Sequence, residues 1–155
     1  MAVEVGKRFV DFNLKNQDGQ AVNLDDFAGK WLVLYVYPKD DTPGCTIQGK
    51  SFTASKQDFD DAGIAVVGVS ADDVESHKNF CNKFAFSIDL LADPNHELLE
   101  AAGVGQSEYK GTMYWDRTSF VIDPQGILRK VYLKVQPDGH EQVLLNDIKA
   151  MQAQA

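Results

Sequence analysis

Seven consecutive apolar residues, Trp31-Leu32-Val33-Leu34-Tyr35-Val36-Tyr37, run unbroken until Pro38. A strand with one wet face alternates apolar and polar side chains, so an unbroken run belongs to a central strand covered on both faces. The run is far short of the roughly 20 residues that a membrane-spanning helix needs. A second run, Ile64-Ala65-Val66-Val67-Gly68-Val69-Ser70, has the same character, and residues 88–91 give a third, shorter one. Helical stretches separate them. Residues 42–62 read as one helix, with Thr42 at the N-cap, Pro43 at the first helical position, Phe52 and Phe59 on one face and Gly63 as the stop. Asp72 caps a helix running to Phe84. Asp93-Pro94 starts another through Ala102, with His96 in its first turn.

Upstream, residues 9–14 and 20–24 flank Gln17-Asp18-Gly19 and predict a small β-hairpin. Residues 103–113 read as loop. Residues 118–123 and 127–135 predict two strands joined by the turn Asp123-Pro124-Gln125-Gly126. Residues 141–151 predict a last helix, with His140 on the surface beside it. Strands alternating with helices imply a mixed sheet covered on both faces. Closure by a β-hairpin and a terminal helix points to an α/β thioredoxin-like fold with an N-terminal β-hairpin extension. No repeat or composition shift divides the chain, so its 155 residues are expected to form a single domain. No Gly-rich phosphate loop follows a strand; Gly103-Val104-Gly105 follows a helix and reads as a cap.

Charge narrows the partners. Fifteen Lys+Arg stand against 23 Asp+Glu, a net charge of −8, and the lysines are scattered. An acidic surface without a basic patch repels nucleic acid. The first twenty residues hold no apolar block ending in a small-residue cleavage site, so no signal peptide is expected. Two cysteines, Cys45 and Cys81, are too few for a disulfide-dense secreted scaffold. Together these features favour a cytoplasmic, reducing setting, where a cysteine pair is more often catalytic, redox-active or simply buried than a permanent staple.

The stretch that carries chemistry is Tyr37-Pro38-Lys39-Asp40-Asp41-Thr42-Pro43-Gly44-Cys45-Thr46. A buried strand ends, a short loop follows, and Cys45 falls in the first turn of a helix. Ligands of open α/β sheets gather at the carboxyl ends of strands. Unpaired N–H groups and the positive end of the helix dipole favour thiolate over thiol there, so the Cys45 pKa is expected below its ordinary value. Thr42 is placed to direct its hydroxyl at the sulfur or at a bound oxygen, and Pro38 removes a donor and shields the loop from water. The competing reading makes Cys45 a small buried residue near a helix start. Asp40 and Asp41 read as solvated loop acids.

Pro38, Thr42 and Cys45 fit the Pro-x-x-x-Thr-x-x-Cys signature, and the longer run resembles the bacterioferritin comigratory protein (BCP, or PrxQ) subfamily of peroxiredoxins. The likeness extends to the N-terminal hairpin, to Gly68-Val69-Ser70 and to Arg117-Thr118-Ser119-Phe120-Val121-Ile122-Asp123. It implies a thiol peroxidase without metal or organic cofactor. Cys45 is its peroxidatic cysteine, attacking hydrogen peroxide or an organic hydroperoxide to give a sulfenic acid. Arg117 matches the family's arginine beside the thiolate, where a cation also steadies charge on the leaving oxygen. On the residues alone, the favoured reading of Arg117 is a surface charge at a strand start, paired with Asp116. Tyr37, Met113 and Trp115 are candidates for an apolar wall suited to organic substrates.

The chain departs from the subfamily pattern at two places. Lys50 stands where many members carry a resolving cysteine, and Gln48 where many carry Glu. Another branch places its resolving cysteine in the helix that holds Cys81. The resemblance therefore implies a Cys45–Cys81 disulfide, formed after local unfolding and reduced by thioredoxin or a similar dithiol, in a protein that tends to be monomeric. Gly44 and Gly49 weaken the Cys45 helix in keeping with such an opening. By pattern alone Cys81 shares a helical face with His77, Phe80 and Phe84 and reads as core. In that case an external thiol resolves Cys45. His77 and Cys81 have a ligand-like spacing, but no paired-cysteine motif supports a zinc site. A thioredoxin-fold binding or chaperone-like protein with incidental thiols is the non-enzymatic alternative.

Overall fold

The run at residues 31–37 supplies an interior strand of a seven-stranded sheet in the computed structural model, which describes residues 3–154. Strand β3 (Trp31–Val36) pairs in parallel with β4 (Ile64–Ser70) and antiparallel with β8 (Thr118–Ile122). β4 pairs in parallel with β5 (Asp89–Ala92), and β8 pairs antiparallel with β9 (Leu128–Tyr132). The N-terminal hairpin, β1 (Asn13–Lys15) and β2 (Ala21–Asn23), extends the β5 edge, giving the order β2-β1-β5-β4-β3-β8-β9. This is the expected mixed, thioredoxin-like arrangement.

Because side chains alternate along a strand, β3 feeds two cores. Trp31, Val33 and Tyr35, with Tyr37 just beyond the strand, pack with Phe52, Phe59, Phe80, Leu144, Leu145 and Ile148. Those partners come from α1 (Pro43–Ala54), α2 (Lys56–Asp61), α3 (Val74–Phe84) and α5 (His140–Ala153), which cover one face. Leu32, Leu34 and Val36 pack on the other face with Phe9, Phe12, Leu24 and Leu98, the last from α4 (Glu97–Ala101). Both cysteines lie in the first of these clusters.

Several boundaries differ from expectation for identifiable reasons. The helix expected over residues 42–62 breaks at Ser55, whose φ of −96° and ψ of 3° interrupt the ladder. Phe52 and Phe59 still meet, with ring centroids 5.9 Å apart. The hairpin strands are shorter than read, and β2 runs into a 3-10 turn, Leu24–Phe27, closed by a reciprocal Asn23–Asp26 capping box. The helix expected at Asp93-Pro94 begins only at Glu97. His96 precedes it as a left-handed N-cap, with φ of 61°, rather than lying in its first turn. Asp93 serves that helix at a distance, accepting from the backbone N–H groups of Glu97 and Leu99.

The largest omission is the segment expected as loop. Residues 106–115 form a hairpin, β6 (Gln106–Tyr109) and β7 (Thr112–Trp115), that stands apart from the main sheet. Lys110 and Gly111 turn it, both at positive φ (50° and 82°), the geometry of a tight type I′ turn. No face of this hairpin is fully buried, so it carries no apolar alternation from which it could be read.

Candidate active site

The first turn of α1 starts where the chain leaves β3. Thr42 is the N-cap with extended backbone, Pro43 opens the helix, and the first helical bond runs from Thr46 N to Thr42 O at 2.9 Å. The N–H groups of Gly44 and Cys45 precede that bond and are free of the helical ladder. Cys45 is 2% exposed. The Thr42 hydroxyl donates to Lys39 O at 3.0 Å, leaving its oxygen lone pairs to accept.

Arg117 reaches this turn from the residue before β8. Its Nη1 donates to Gln48 Oε1 at 2.7 Å, and Gln48 is 1% exposed. Its Nη2 lies so close over Gly44 that a Cβ there would overlap it. Only glycine at position 44 leaves room for the guanidinium where it lies. Gln48 lies three residues beyond Cys45 on the same helix face, so the guanidinium brackets Cys45 from both sides in sequence. The pairing with Asp116 does not occur. Asp116 instead accepts from Ser107 Oγ at 2.5 Å and ties the β6–β7 hairpin to the site. The other Gln48 amide atom, Nε2, is buried without a partner.

An open cleft of about 520 Å³ lies against this turn. Pro38, Lys39, Thr42, Pro43, Gly44 and Arg117 form one side, and Ser107, Glu108, Tyr109, Tyr114, Trp115 and Asp116 the other. The predicted residues Pro38, Thr42 and Arg117 thus line one cleft, and the buried Cys45 follows its lining residue Gly44 in the same turn. Of the proposed apolar wall only Trp115 is there, steadied by an edge contact from His96 at 5.3 Å. Met113 is exposed away from the cleft, and Tyr37 is buried in the core. The hairpin residues Tyr109 and Tyr114 were missed with the hairpin itself.

Cys81 is 7% exposed on α3 and, like Cys45, is a free thiol. Burial pushes its pKa up to about 12, with Asp40, Asp89 and Asp18 adding to the effect. Tyr35 feels both sulfurs: its phenol is pushed well up by burial, then by Cys45 and Cys81. Lys50 lies over the Phe84 ring at 5.1 Å.

Two readings of polar residues need correction. Asp40 is not solvated. It is buried, and its carboxylate accepts from Tyr37 Oη at 2.6 Å and Ser76 Oγ at 2.7 Å and faces His77 Nδ1 at 2.7 Å. Asp41, by contrast, is exposed and pairs with Lys83 at 2.8 Å. His140 is not a surface residue either; it is buried against Ser119 Oγ at 2.9 Å, and burial pushes its pKa down to about 4. Asp40, Asp72 and His77 are close enough to share a cation, but their ligand atoms are already committed. His77 uses Nδ1 toward Asp40 and Nε2 toward Leu91 O, so it offers no nitrogen to a zinc site with Cys81.

The chain is similar to known proteins in sequence and fold. The AhpC/TSA family model matches residues 5–131. The chain is 38% identical over 157 residues to the peroxiredoxin Bcp of Bacillus subtilis, covering 97% of this chain and 98% of that protein. It is 38% identical over 146 residues to the putative peroxiredoxin bcp of Coxiella burnetii, covering 90% and 95% respectively. Among solved structures, peroxiredoxin Q of Xanthomonas campestris superposes with a TM-score of 0.84 at 37% identity, covering 90% of each chain. A PrxQ of Xylella fastidiosa superposes with a TM-score of 0.92 at 29% identity, covering 98% and 99%. A further Xanthomonas campestris structure, of a bacterioferritin comigratory protein described for its alkyl peroxide reduction, has a TM-score of 0.87 at 34% identity, covering 96% and 99%. With its thioredoxin-like sheet and a cysteine at the first turn of α1, the chain belongs to the AhpC/TSA family, among its Bcp/PrxQ peroxiredoxins, and is a thiol-dependent peroxidase.

Proposed function

We propose that Cys45 is the peroxidatic cysteine of this peroxidase and that Cys81 resolves it. The observation that carries the first assignment is the placement of Cys45 between Gly44 and Gln48, the two residues that hold the Arg117 guanidinium. The guanidinium and the free N–H groups of this turn can steady charge that develops on the departing oxygen.

In the first step the Cys45 thiolate attacks the terminal oxygen of a hydroperoxide. An S–O bond forms and the O–O bond breaks. The thiolate becomes a sulfenic acid, and the departing alkoxide or hydroxide takes up a proton to leave as alcohol or water. Thr42 Oγ1, already donating to Lys39 O, accepts from the hydroperoxide O–H, while Arg117 donates to its oxygens. Pro38 keeps the loop side of the cleft free of a competing donor. In the second step the Cys81 sulfur attacks the Cys45 sulfenic sulfur. The disulfide forms and water leaves with the thiol proton. A dithiol donor such as thioredoxin then reduces the disulfide by exchange.

The cleft beside Trp115 and Tyr114 has room for the substituent of an organic hydroperoxide, so we assign both hydrogen peroxide and organic hydroperoxides as substrates. The alkyl peroxide reduction described for the Xanthomonas campestris relative supports this choice. We assign action as a monomer from the tendency of the subfamily that the sequence resembles. A reducing cytoplasm is the compartment in which such a dithiol cycle runs.

A second reading rests on the burial of Cys81 and its raised pKa, which make it a poor nucleophile where it sits. In it an external thiol attacks Cys45. Peroxide consumption with thioredoxin and its reductase tests both. Wild type is expected to turn over and Cys45→Ser to be inactive. Equal consumption by the two proteins overturns the assignment, and full turnover by Cys81→Ser supports the external thiol.

A further inference from the structure

We propose that Asp40, Ser76 and His77 form a latch that holds the Cys81 helix against the Cys45 loop and sets the rate at which Cys81 is released to resolve Cys45. This rests on the reading that Cys81 is the resolving cysteine.

The latch joins the two segments that must part. Asp40 lies in the loop between β3 and α1, a few residues before Cys45, and His77 lies one helical turn before Cys81 on the same face of α3. Asp40 Oδ2 accepts from Ser76 Oγ and faces His77 Nδ1, both at 2.7 Å, while Oδ1 accepts from Tyr37 Oη at 2.6 Å. The Asp40 backbone N–H donates to Asp72 Oδ2 at 2.8 Å, which fixes the loop in register with the start of α3. On the far side of the ring, His77 Nε2 faces Leu91 O at 2.8 Å. A carbonyl oxygen only accepts, so Nε2 carries a proton and the ring is held at both nitrogens. His77 has no exposed surface, and Asp40 is 8% exposed.

That burial makes the contact all-or-none. Moving α3 outward strips His77 of both partners and takes two partners from the Asp40 carboxylate until water replaces them. The exposed Asp41–Lys83 pair adds only a weak outer tie. The other end of α3 closes on Ala85 at a left-handed φ of 55° and is held by apolar packing of Phe80 and Phe84 against Phe86. The Ser76-His77 turn is a buried polar tie of the helix to the Cys45 loop. Cys81 stays a protonated, buried thiol while that turn is docked, and exposure restores an ordinary, more nucleophilic cysteine.

The latch decides between two fates of the sulfenic acid. When Cys81 attacks, the disulfide forms and water leaves. When a second hydroperoxide is attacked first, the sulfur gains another oxygen to become a sulfinic acid and the hydroperoxide is reduced to water or alcohol. A loosened latch favours the first fate.

The test uses full-length wild type, Ser76→Ala and His77→Gln, reduced and then mixed rapidly with hydrogen peroxide, with acid-quenched intact mass as the readout. Sulfenic acid formation is expected within about two-fold of wild type, and disulfide formation about ten-fold faster, the factor that one hydrogen bond to a charged group supports. The fraction of sulfinic acid at a given peroxide concentration is expected to fall correspondingly. A Leu98→Ala control loosens the opposite core and is expected to leave the disulfide rate unchanged. Unchanged or slower disulfide formation in folded Ser76→Ala overturns the latch, as does equal acceleration by Leu98→Ala. If His77→Gln does not fold, Ser76→Ala carries the test. Failure of the underlying reading looks different: wild type then forms no disulfide at all and matches Cys81→Ser.

Discussion

Arg117 donates to Gln48 at 2.7 Å, and the acceptor is a neutral amide rather than a carboxylate. The contact orients the guanidinium across the first turn of α1 without cancelling its charge. A neutral acceptor orients Arg117 without adding a negative charge to the turn. In the mechanism we propose, Gln48 positions Arg117, and Arg117 acts on the peroxide.

Replacing Arg117 with Met removes both the cation and the donors. The second-order rate with hydrogen peroxide is expected to fall about 10²–10³-fold, the cost of losing a donor aimed at developing charge. Gln48→Ala is expected to lower the same rate about ten-fold by freeing the guanidinium, and Gln48→Glu to restore it because the acceptor returns. Single-turnover rates measured under pseudo-first-order peroxide decide it. Normal activity in Gln48→Ala contradicts the positioning role.

Gly44 and Gly49 make separable predictions. A Cβ at Gly44 overlaps Arg117 Nη2, and one at Gly49 overlaps the Phe86 ring. Gly44→Ala is expected to fold and lose peroxide reactivity, because a flexible guanidinium moves aside. Gly49→Ala meets a ring wedged between α1 and α3, and is expected to lose about 1–3 kcal/mol of stability by overpacking. Denaturant titration alongside rate measurement separates the two effects.

Trp115 tests the cleft. Trp115→Ala is expected to raise KM for a bulky organic hydroperoxide about ten-fold, because the indole no longer shields the apolar substituent from water. The rate with hydrogen peroxide, which has no such substituent, is expected to stay nearly unchanged. A parallel fall with both substrates assigns Trp115 to the fold rather than to substrate preference.

His140 gives a pH dependence with a definite sign. Its folded pKa of about 4 lies below its ordinary value of 6.5, because burial disfavours the charged ring. Between those values the unfolded chain binds more protons, so stability is full above pH 6.5 and declines as the pH falls toward 4. The contribution is on the order of 2–3 kcal/mol. His140→Gln keeps a group able to bond Ser119 and does not titrate. The slope of denaturation midpoint against pH over this window is expected to flatten in the variant, and an unchanged slope contradicts the assignment.

The parts of the molecule that were legible in the sequence are those with local signals. The run at residues 31–37 and the Thr42-Pro43 helix start placed the central strand and the turn holding Cys45, because burial and capping chemistry act over a few residues. Pro38, Thr42 and Arg117 came with the family motif. The β6–β7 hairpin was not legible, since without a buried face it needs no apolar alternation, and it supplies half the cleft. Asp40 was misread for another reason. A loop acid is ordinarily solvated, and its partners Ser76 and His77 lie more than thirty residues away. His140 failed likewise, because the site that buries it is built by Ser119 and Tyr132 on strands distant in sequence.

The two-cysteine cycle is tested most directly by intact mass under non-reducing conditions, after one equivalent of hydrogen peroxide is added to the reduced protein. The mechanism requires the loss of two hydrogens in wild type, abolished by Cys45→Ser and by Cys81→Ser alike. Gain of oxygen at Cys45 without that loss contradicts resolution by Cys81, and no change in mass contradicts the assignment of Cys45 itself.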